Sequence, residues 1–213
     1  MKVSQPTEVS NQPGPTVLVI DDDRDLRESL GRLLRSVGMN VQLYPSVREF
    51  LDAGRPNGAA CLVLDVRLPG QGGLDFQREM AAAHVHLPII FITGHGDIPM
   101  SVEAMKGGAI DFLTKPFRDQ ELLDAIARGI TLDRTWLENE KDVASLKARF
   151  EALTPREREI MIHVVHGRLS KQIAADVGVS EVTVKVHRSN MMKKMQAHSL
   201  PELGRFAIKL NLG

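Results

Sequence analysis

The chain has 213 residues with 27 Lys+Arg against 27 Asp+Glu, is 43% hydrophobic and 25% charged, the composition of an ordinary globular protein rather than a disordered or fibrous one. Its longest apolar runs, such as Leu87–Ile92, reach six residues, far short of the roughly 20 a membrane-spanning helix needs. Neutrality hides an asymmetry: residues 1–130 carry 13 basic and 17 acidic groups, residues 150–213 carry 10 and 6. An acidic front and a basic back suit a cation at one end and a polyanion at the other. The lone Cys61 forms no intrachain disulfide and, lying in an apolar run, reads as a small buried hydrophobe, which fits a cytoplasmic chain.

In chain order, residues 1–15 contain Pro6, Pro13 and Pro15 but neither a basic start nor an apolar block. They read as a mobile tail, not a signal peptide. Five short β-branched runs follow, Val17–Ile20, Val41–Tyr44, Cys61–Leu64, Ile89–Ile92 and Ile110–Leu113, each expected as a strand. Between them Arg24–Ser36, Val47–Ala53, Leu74–Ala83 and Met100–Lys106 carry apolar residues at helical spacing. Such βαβα alternation predicts an α/β fold, a five-stranded parallel sheet covered by helices on both faces. Functional groups then belong at the carboxyl ends of the strands.

From Asp119 a helical pattern continues through Leu122, Ile126, Ile130 and Leu137, pauses over the polar 138–142, and resumes at Val143, Leu146 and Phe150. Residues 131–150 are expected as a helical linker, either a short coiled coil or a solvated connector. From residue 151 to 213 no strand pattern remains. Thr154-Pro155-Arg156-Glu157 joins a capping hydroxyl, proline at the first helical position and glutamate at the third. Helices near Ser170–Asp176, Glu181–Met195 and Leu200–Leu210 complete an all-α four-helix unit, with Ser170 and Ser180 as candidate caps. Val177-Gly178-Val179-Ser180 is the tight turn of a helix-turn-helix.

The strand ends carry the chemistry. The first strand runs into Asp21-Asp22-Asp23, the third into Asp65, the fourth into Thr93-Gly94 and the fifth into Lys115-Pro116. A parallel sheet brings these together. Clustered carboxylates repel unless a cation neutralises them, and an all-oxygen, hydrated site favours Mg²⁺. Asp65 is then both metal ligand and oxygen nucleophile, Lys115 balances the charge of an incoming phosphoryl group, and Thr93 offers it a hydroxyl. Asp23 has a simpler role as a helix cap. Lys115-Pro116 is a natural place for a cis peptide.

Residues 16–130 resemble the receiver domain of bacterial two-component response regulators, through Val17–Asp23, the Leu64–Gly70 loop with Gly73, Thr93–Gly96 and Asp111–Phe117. The resemblance implies a flavodoxin-like (CheY-like) fold, Asp65 as phosphoacceptor, Asp21, Asp22 and the Arg67 backbone carbonyl as further metal-site groups, Thr93 and Lys115 as phosphate contacts, and Phe112 with Thr93 as the switch pair. Residues 151–213 resemble LuxR-type DNA-binding domains through Leu153–Glu157, Lys171–Ala174 and Thr183–His187, an architecture similar to the FixJ-like group of the NarL/FixJ family. A helix from Glu181 would present Lys185, Val186, Arg188 and Ser189 to base edges and leave Lys171, Thr183, Lys193 and Lys194 as phosphate contacts.

These resemblances imply a phosphorylation-activated transcriptional regulator. Its partners would be a sensor histidine kinase, promoter DNA and RNA polymerase, with homodimerisation on phosphorylation and no membrane contact. It would be no enzyme beyond its own phosphoryl transfer and dephosphorylation. A haloacid-dehalogenase-like phosphatase also starts from Asp after a strand, but needs a carboxylate two residues on, where this chain has Arg67. A sigma-factor-like promoter reader accounts for the last helices and not for the acidic pocket. His84, His86 and His95 lack zinc-site spacing and read as surface or loop residues. Met191, Met192 and Met195 read as core or dimer surface.

Overall fold

The computed structural model describes residues 14–94 and 96–212. Two compact units divide the chain between Leu137 and Glu138, inside the stretch expected as linker. Most of the expected tail, and His95, lie outside the described residues.

In the first unit β1 (Thr16–Ile20), β2 (Asn40–Tyr44), β3 (Ala60–Asp65), β4 (Ile89–Thr93) and β5 (Asp111–Thr114) form one parallel sheet in the order β2-β1-β3-β4-β5. Four helices alternate with them: α1 (Arg24–Ser36), α2 (Val47–Ala53), α3 (Gly73–Ala82) and α4 (Ile98–Lys106). The register, Val19 opposite Val63 and Leu64 opposite Phe91, brings the ends of β1, β3 and β4 level. Strand order reverses between β1 and β3, so the crevice expected at such a switch point opens beside Asp21 and Asp65.

The period of two along each strand sorts the core into two layers. Leu18, Ile20, Leu62, Leu64 and Phe91 pack with Phe50 of α2, Phe76 and Met80 of α3 and Ala104 of α4. Val17, Val19, Cys61, Val63, Ile90 and Ile92 pack with Leu30 and Leu34 of α1 and with Leu122 and Ile126 of α5 (Asp119–Glu151). Every residue of β1, β3 and β4 is buried, as a doubly covered parallel sheet requires. Cys61 is fully buried, and burial pushes its thiol up to about 12.

Across 138–142, where the apolar pattern pauses, α5 is one unbroken helix. Glu, Lys and Asp at those positions interrupt the apolar face, not the backbone hydrogen bonding, and Glu and Lys are good helix formers. Each end of α5 has a core to pack on. Its first part packs on the sheet of its own unit through Leu122, Ala125, Ile126 and Ile130, whereas Leu146 and Phe150 join the core of the second unit.

That second unit adds α6 (Pro155–Val165), α7 (Ser170–Val177), α8 (Glu181–Met195) and α9 (Leu200–Lys209). The capping box forms: Thr154 Oγ1 accepts from the Glu157 amide and Glu157 Oε2 from the Thr154 amide. Gly178 takes φ 68° and ψ 37°, a left-handed conformation that ends α7 and makes the turn toward α8 at little steric cost. Ser180 caps α8 as expected. Ser170 does not cap α7: Leu169 is the cap position, its amide held by Gln172 Oε1 at 2.9 Å, and Ser170, one residue inside, accepts from Arg188. Met191 and Met195 are fully buried with Ile160, Ile173, Val184 and Leu203, so they belong to the core.

Candidate functional site

Asp21, Asp22 and Asp65 meet at the carboxyl end of the sheet, with carboxylate oxygens from all three within 4.8 Å of one another. Asp21 is fully buried and Asp65 nearly so, while Asp22 is exposed. The backbone orders this end. The Asp23 amide donates to Asp21 Oδ1 (2.8 Å), the Arg67 amide donates to Asp65 Oδ1 (2.9 Å), and Arg27 of α1 donates to the Asp21 carbonyl (2.6 Å). Asp23 is the cap of α1, accepting from the amides of Asp25 and Leu26, and stands apart from the cluster.

Lys115 enters from β5, where its peptide bond to Pro116 is cis. Its ammonium lies 2.8 Å from Asp21 Oδ2 and 2.6 Å from Asp65 Oδ2. Burial works against that charge, but the bonds to the two carboxylates outweigh it and hold the lysine above its usual range. Burial likewise lifts the Asp21 carboxyl above the ordinary carboxylate range, only partly offset by Lys115 and the Asp23 amide, and the charge on Asp65 adds to the rise. One ammonium thus meets two buried carboxyls with a third, Asp22, beside them, and the balance favours a bound cation.

Thr93 is fully buried at the end of β4, and its carbonyl accepts from the Lys115 amide at 2.8 Å. Phe112 is half-buried, its ring 6.4 Å from that of Phe91. Phe112 and Thr93 converge on Gly96: a Cβ there would fall 2.8 Å from Phe112 Cε1 and 3.0 Å from the Thr93 methyl. Arg67 points its side chain into solvent. The fold therefore gathers Asp21, Asp22, Asp65, Thr93 and Lys115 at one edge with Phe112 beside them.

Beside Lys115 a groove of about 540 Å³ is lined mainly by Leu26, Leu30 and Leu33 of α1 with Pro116 and Phe117. The leucines lie on the apolar face of α1. Leu30 is buried, while Leu26 and Leu33 remain partly open.

In the second unit, α8 buries Val184, Met191 and Met195 and exposes Lys185, Val186, Ser189 and Lys193. Lys171 of α7 is exposed, and the Thr183 hydroxyl bonds the Ser180 hydroxyl at 2.8 Å. Lys185 makes an exposed pair with Glu181, four residues earlier, at 2.9 Å, the kind water readily replaces. Two of the expected contact residues also have partners within the unit. Lys194 lies 2.7 Å from Glu157, which is buried at the α6 cap, and neutralises that carboxylate while its own side chain stays partly exposed. Arg188 donates to Ser170 Oγ at 2.8 Å, which ties α8 to α7 and leaves it only half-exposed.

The sequence reading passed over Val182, 71% exposed on the first turn of α8, and Leu169, 68% exposed before α7. The spacing 182, 186, 189 and 193 marks one helical stripe and was the available signal. His86, read as a surface or loop residue, sits in the loop before β4, and its contact with the fully buried Asp133 was passed over.

Residues 17–127 match the response regulator receiver domain and residues 151–207 match the luxR family of bacterial regulatory proteins. Nodulation protein W of Bradyrhizobium diazoefficiens is 54% identical over 196 residues, covering 92% of this chain and 86% of that protein. The transcriptional regulatory protein FixJ of Azorhizobium caulinodans is 45% identical, covering 90% and 91%. Among solved structures, that of the response regulator StyR is similar with a TM-score of 0.82 and 45% identity over 92% of this chain and all of the other. Full-length FixJ from B. japonicum gives 0.56 and 41% over 95% and 99%. No helix among the described residues is long and apolar enough to cross a membrane. With its acidic pocket at the switch point of a parallel sheet and its helix-turn-helix unit, the chain belongs to the response regulators that join a receiver domain to a LuxR-type DNA-binding domain.

Proposed function

We propose that Asp65 accepts a phosphoryl group from the phosphohistidine of a sensor kinase and that this turns on promoter binding through α8, in the cytoplasm. The observation that carries the reading is the Asp65–Lys115–Asp21 contact, a nucleophilic carboxylate held by a cation beside a second, buried carboxylate. Asp65 attacks phosphorus as the P–N bond breaks, so that an acyl phosphate forms and the imidazole leaves with the bonding electron pair. Lys115 then balances the charge of the new phosphoryl oxygens and the Thr93 hydroxyl binds one of them. Asp21, Asp22, Asp65 and the Arg67 carbonyl would hold Mg²⁺, whose donor set is oxygen alone. When bound, the ion supplies electrostatic stabilisation of the transferring group. The apolar groove beside Lys115 suits a helix of the kinase. Catalysis extends no further than the chain's own phosphorylation and dephosphorylation.

With Thr93 drawn toward the phosphoryl group, Phe112 would follow, and the neighbouring surface of α4 would change. That surface exposes Ile98, Val102 and Met105, an apolar face at helical spacing that suits pairing of two activated chains. Leu146 and Phe150 take no part in the pairing, because they are committed to the core of the second unit. Two copies would read half-sites about one turn of DNA apart. Val182, Val186, Lys185 and Ser189 would face bases, with Lys171, Thr183 and Lys193 on phosphates, and RNA polymerase would be recruited at the promoter.

The test is treatment with acetyl phosphate and Mg²⁺ followed by intact-mass measurement and sedimentation. A single adduct, lost with chelator and in Asp65→Asn, with a shift toward dimer, is expected. An adduct that survives Asp65→Asn removes the assignment.

A further inference from the structure

At the opposite edge of the sheet a second charged cluster has nothing to do with phosphoryl chemistry. Asp133, in α5 beyond the last turn that packs on the sheet, has no exposed surface. Its Oδ2 accepts from the Ala60 amide at the start of β3 (2.7 Å) and from Arg55 (2.6 Å). Arg55, from the loop after α2, also donates to the His86 carbonyl in the loop before β4. One turn further along α5, Trp136 stacks on the His86 ring at 4.6 Å between centroids and 20° between planes, and the Arg55 guanidinium lies 5.6 Å from the Trp136 ring centre.

Two segments far from α5 in sequence, residues 55–60 and the loop at His86, thus close on two residues of the helix. A carboxylate is buried this completely only when its partners are in place, and the stack and cation contact give Trp136 a defined seat. Without them the helix beyond Ile130 offers the sheet little: Thr131, Leu132, Arg134 and Thr135 are all exposed.

We propose that Arg55, His86, Asp133 and Trp136 form a clasp that fastens residues 131–137 to the amino-terminal edge of the receiver sheet. The root of the linker is thereby part of the receiver, and it comes free as a unit when the clasp is broken. A linker with a loose root is a longer tether; one with a fixed root moves with the sheet. The clasp lies at the amino end of β3 and Asp65 at its carboxyl end, so breaking it leaves the phosphorylation chemistry in place.

The experiment is amide hydrogen exchange on the full-length chain, comparing Asp133→Asn and Trp136→Leu with Thr135→Ala, an exposed site on the same turn whose hydroxyl bonds only its own helix. The Asp65 adduct is measured in parallel with acetyl phosphate and Mg²⁺. Both clasp variants are expected to exchange faster over 131–137, with protection there falling about tenfold or more relative to β1, β3 and β4 and the yield of adduct unchanged. Thr135→Ala is expected to match the parent chain. Unchanged protection over 131–137 in both variants overturns the clasp. So does loss of protection spread equally over the whole sheet, which would make these residues ordinary core. An absent adduct in the parent chain would count against the phosphoryl reading alone.

Discussion

The two ends of the sheet hold similar groups in opposite states. At the carboxyl end two carboxyls share one ammonium with a third, Asp22, beside them, and burial lifts Asp21 above the ordinary carboxylate range. At the amino end one carboxylate meets a guanidinium, a backbone amide and a histidine ring. Negative charge is in excess at the first and matched at the second. A frustrated cluster is a place where a cation and a phosphoryl group gain by binding, whereas a compensated one holds segments together.

The sharpest way to break that comparison is to remove one carboxylate from each end. Asp133→Ala leaves Arg55 without its buried partner and the Ala60 amide without an acceptor, and should cost about 3–5 kcal/mol, read as a lower denaturation midpoint. Asp21→Asn should do the reverse in chelator, raising the melting temperature, because it relieves a charge that the fold disfavours. If both variants destabilise alike, the two ends do not differ in the sense argued. Mg²⁺ sharpens the same contrast: a hundredfold excess over its dissociation constant should stabilise the parent chain by about 2.7 kcal/mol. Asp21→Asn should lose most of that gain and Asp133→Asn none of it.

The distinction between engaged and available charge recurs on α8. Lys185→Ala should relax base preference by about 1–3 kcal/mol, and Lys193→Ala should weaken all DNA alike with a salt slope smaller by about one. Lys194→Ala should instead lower thermal stability with the salt slope intact, since its partner is Glu157. The bonds from Lys194 and Thr154 overcome burial and hold the Glu157 carboxyl below its usual range. Its contribution is therefore present above the ordinary glutamate range and lost as pH falls through the lowered value. Binding titrations at several salt concentrations, alongside melts from neutral to acid pH, separate the two kinds of lysine.

The smallest effect concerns His86. Burial keeps its imidazole below the usual pKa of 6.5, with Asp133 opposing and Arg55 reinforcing the shift. The unfolded chain takes up a proton that the folded one resists, so stability should fall as pH drops through 6.5 toward the lowered value. Melts in steps from pH 7.5 to 5.5 should show this decline, and His86→Gln should flatten it. A decline of equal slope in that variant would assign it to other groups.

Much of this was legible in the order of the residues. Alternation of apolar runs sufficed for the strands, because a sheet buried on both faces needs continuous β-branched segments. Asp21, Asp65, Thr93 and Lys115 could be grouped from their places after strands, because a parallel sheet puts those ends together. Thr154 and Glu157 declared their helix start through local hydrogen bonds that depend on spacing alone. Other features depend on which side chains meet across long separations. Asp133 lies 78 residues from Arg55, and no local pattern distinguishes it from the exposed acids nearby. Lys194 looks like its neighbour Lys193 until Glu157 arrives from another helix, and Ser170 looks like a cap until Gln172 and Arg188 take up their bonds. The sequence by itself determined the elements and the acidic pocket, since those follow from periodicity and local capping. Only the tertiary structure decided which charges are neutralised internally and which face solvent, because the energy of a charge depends on its surroundings more than on its identity.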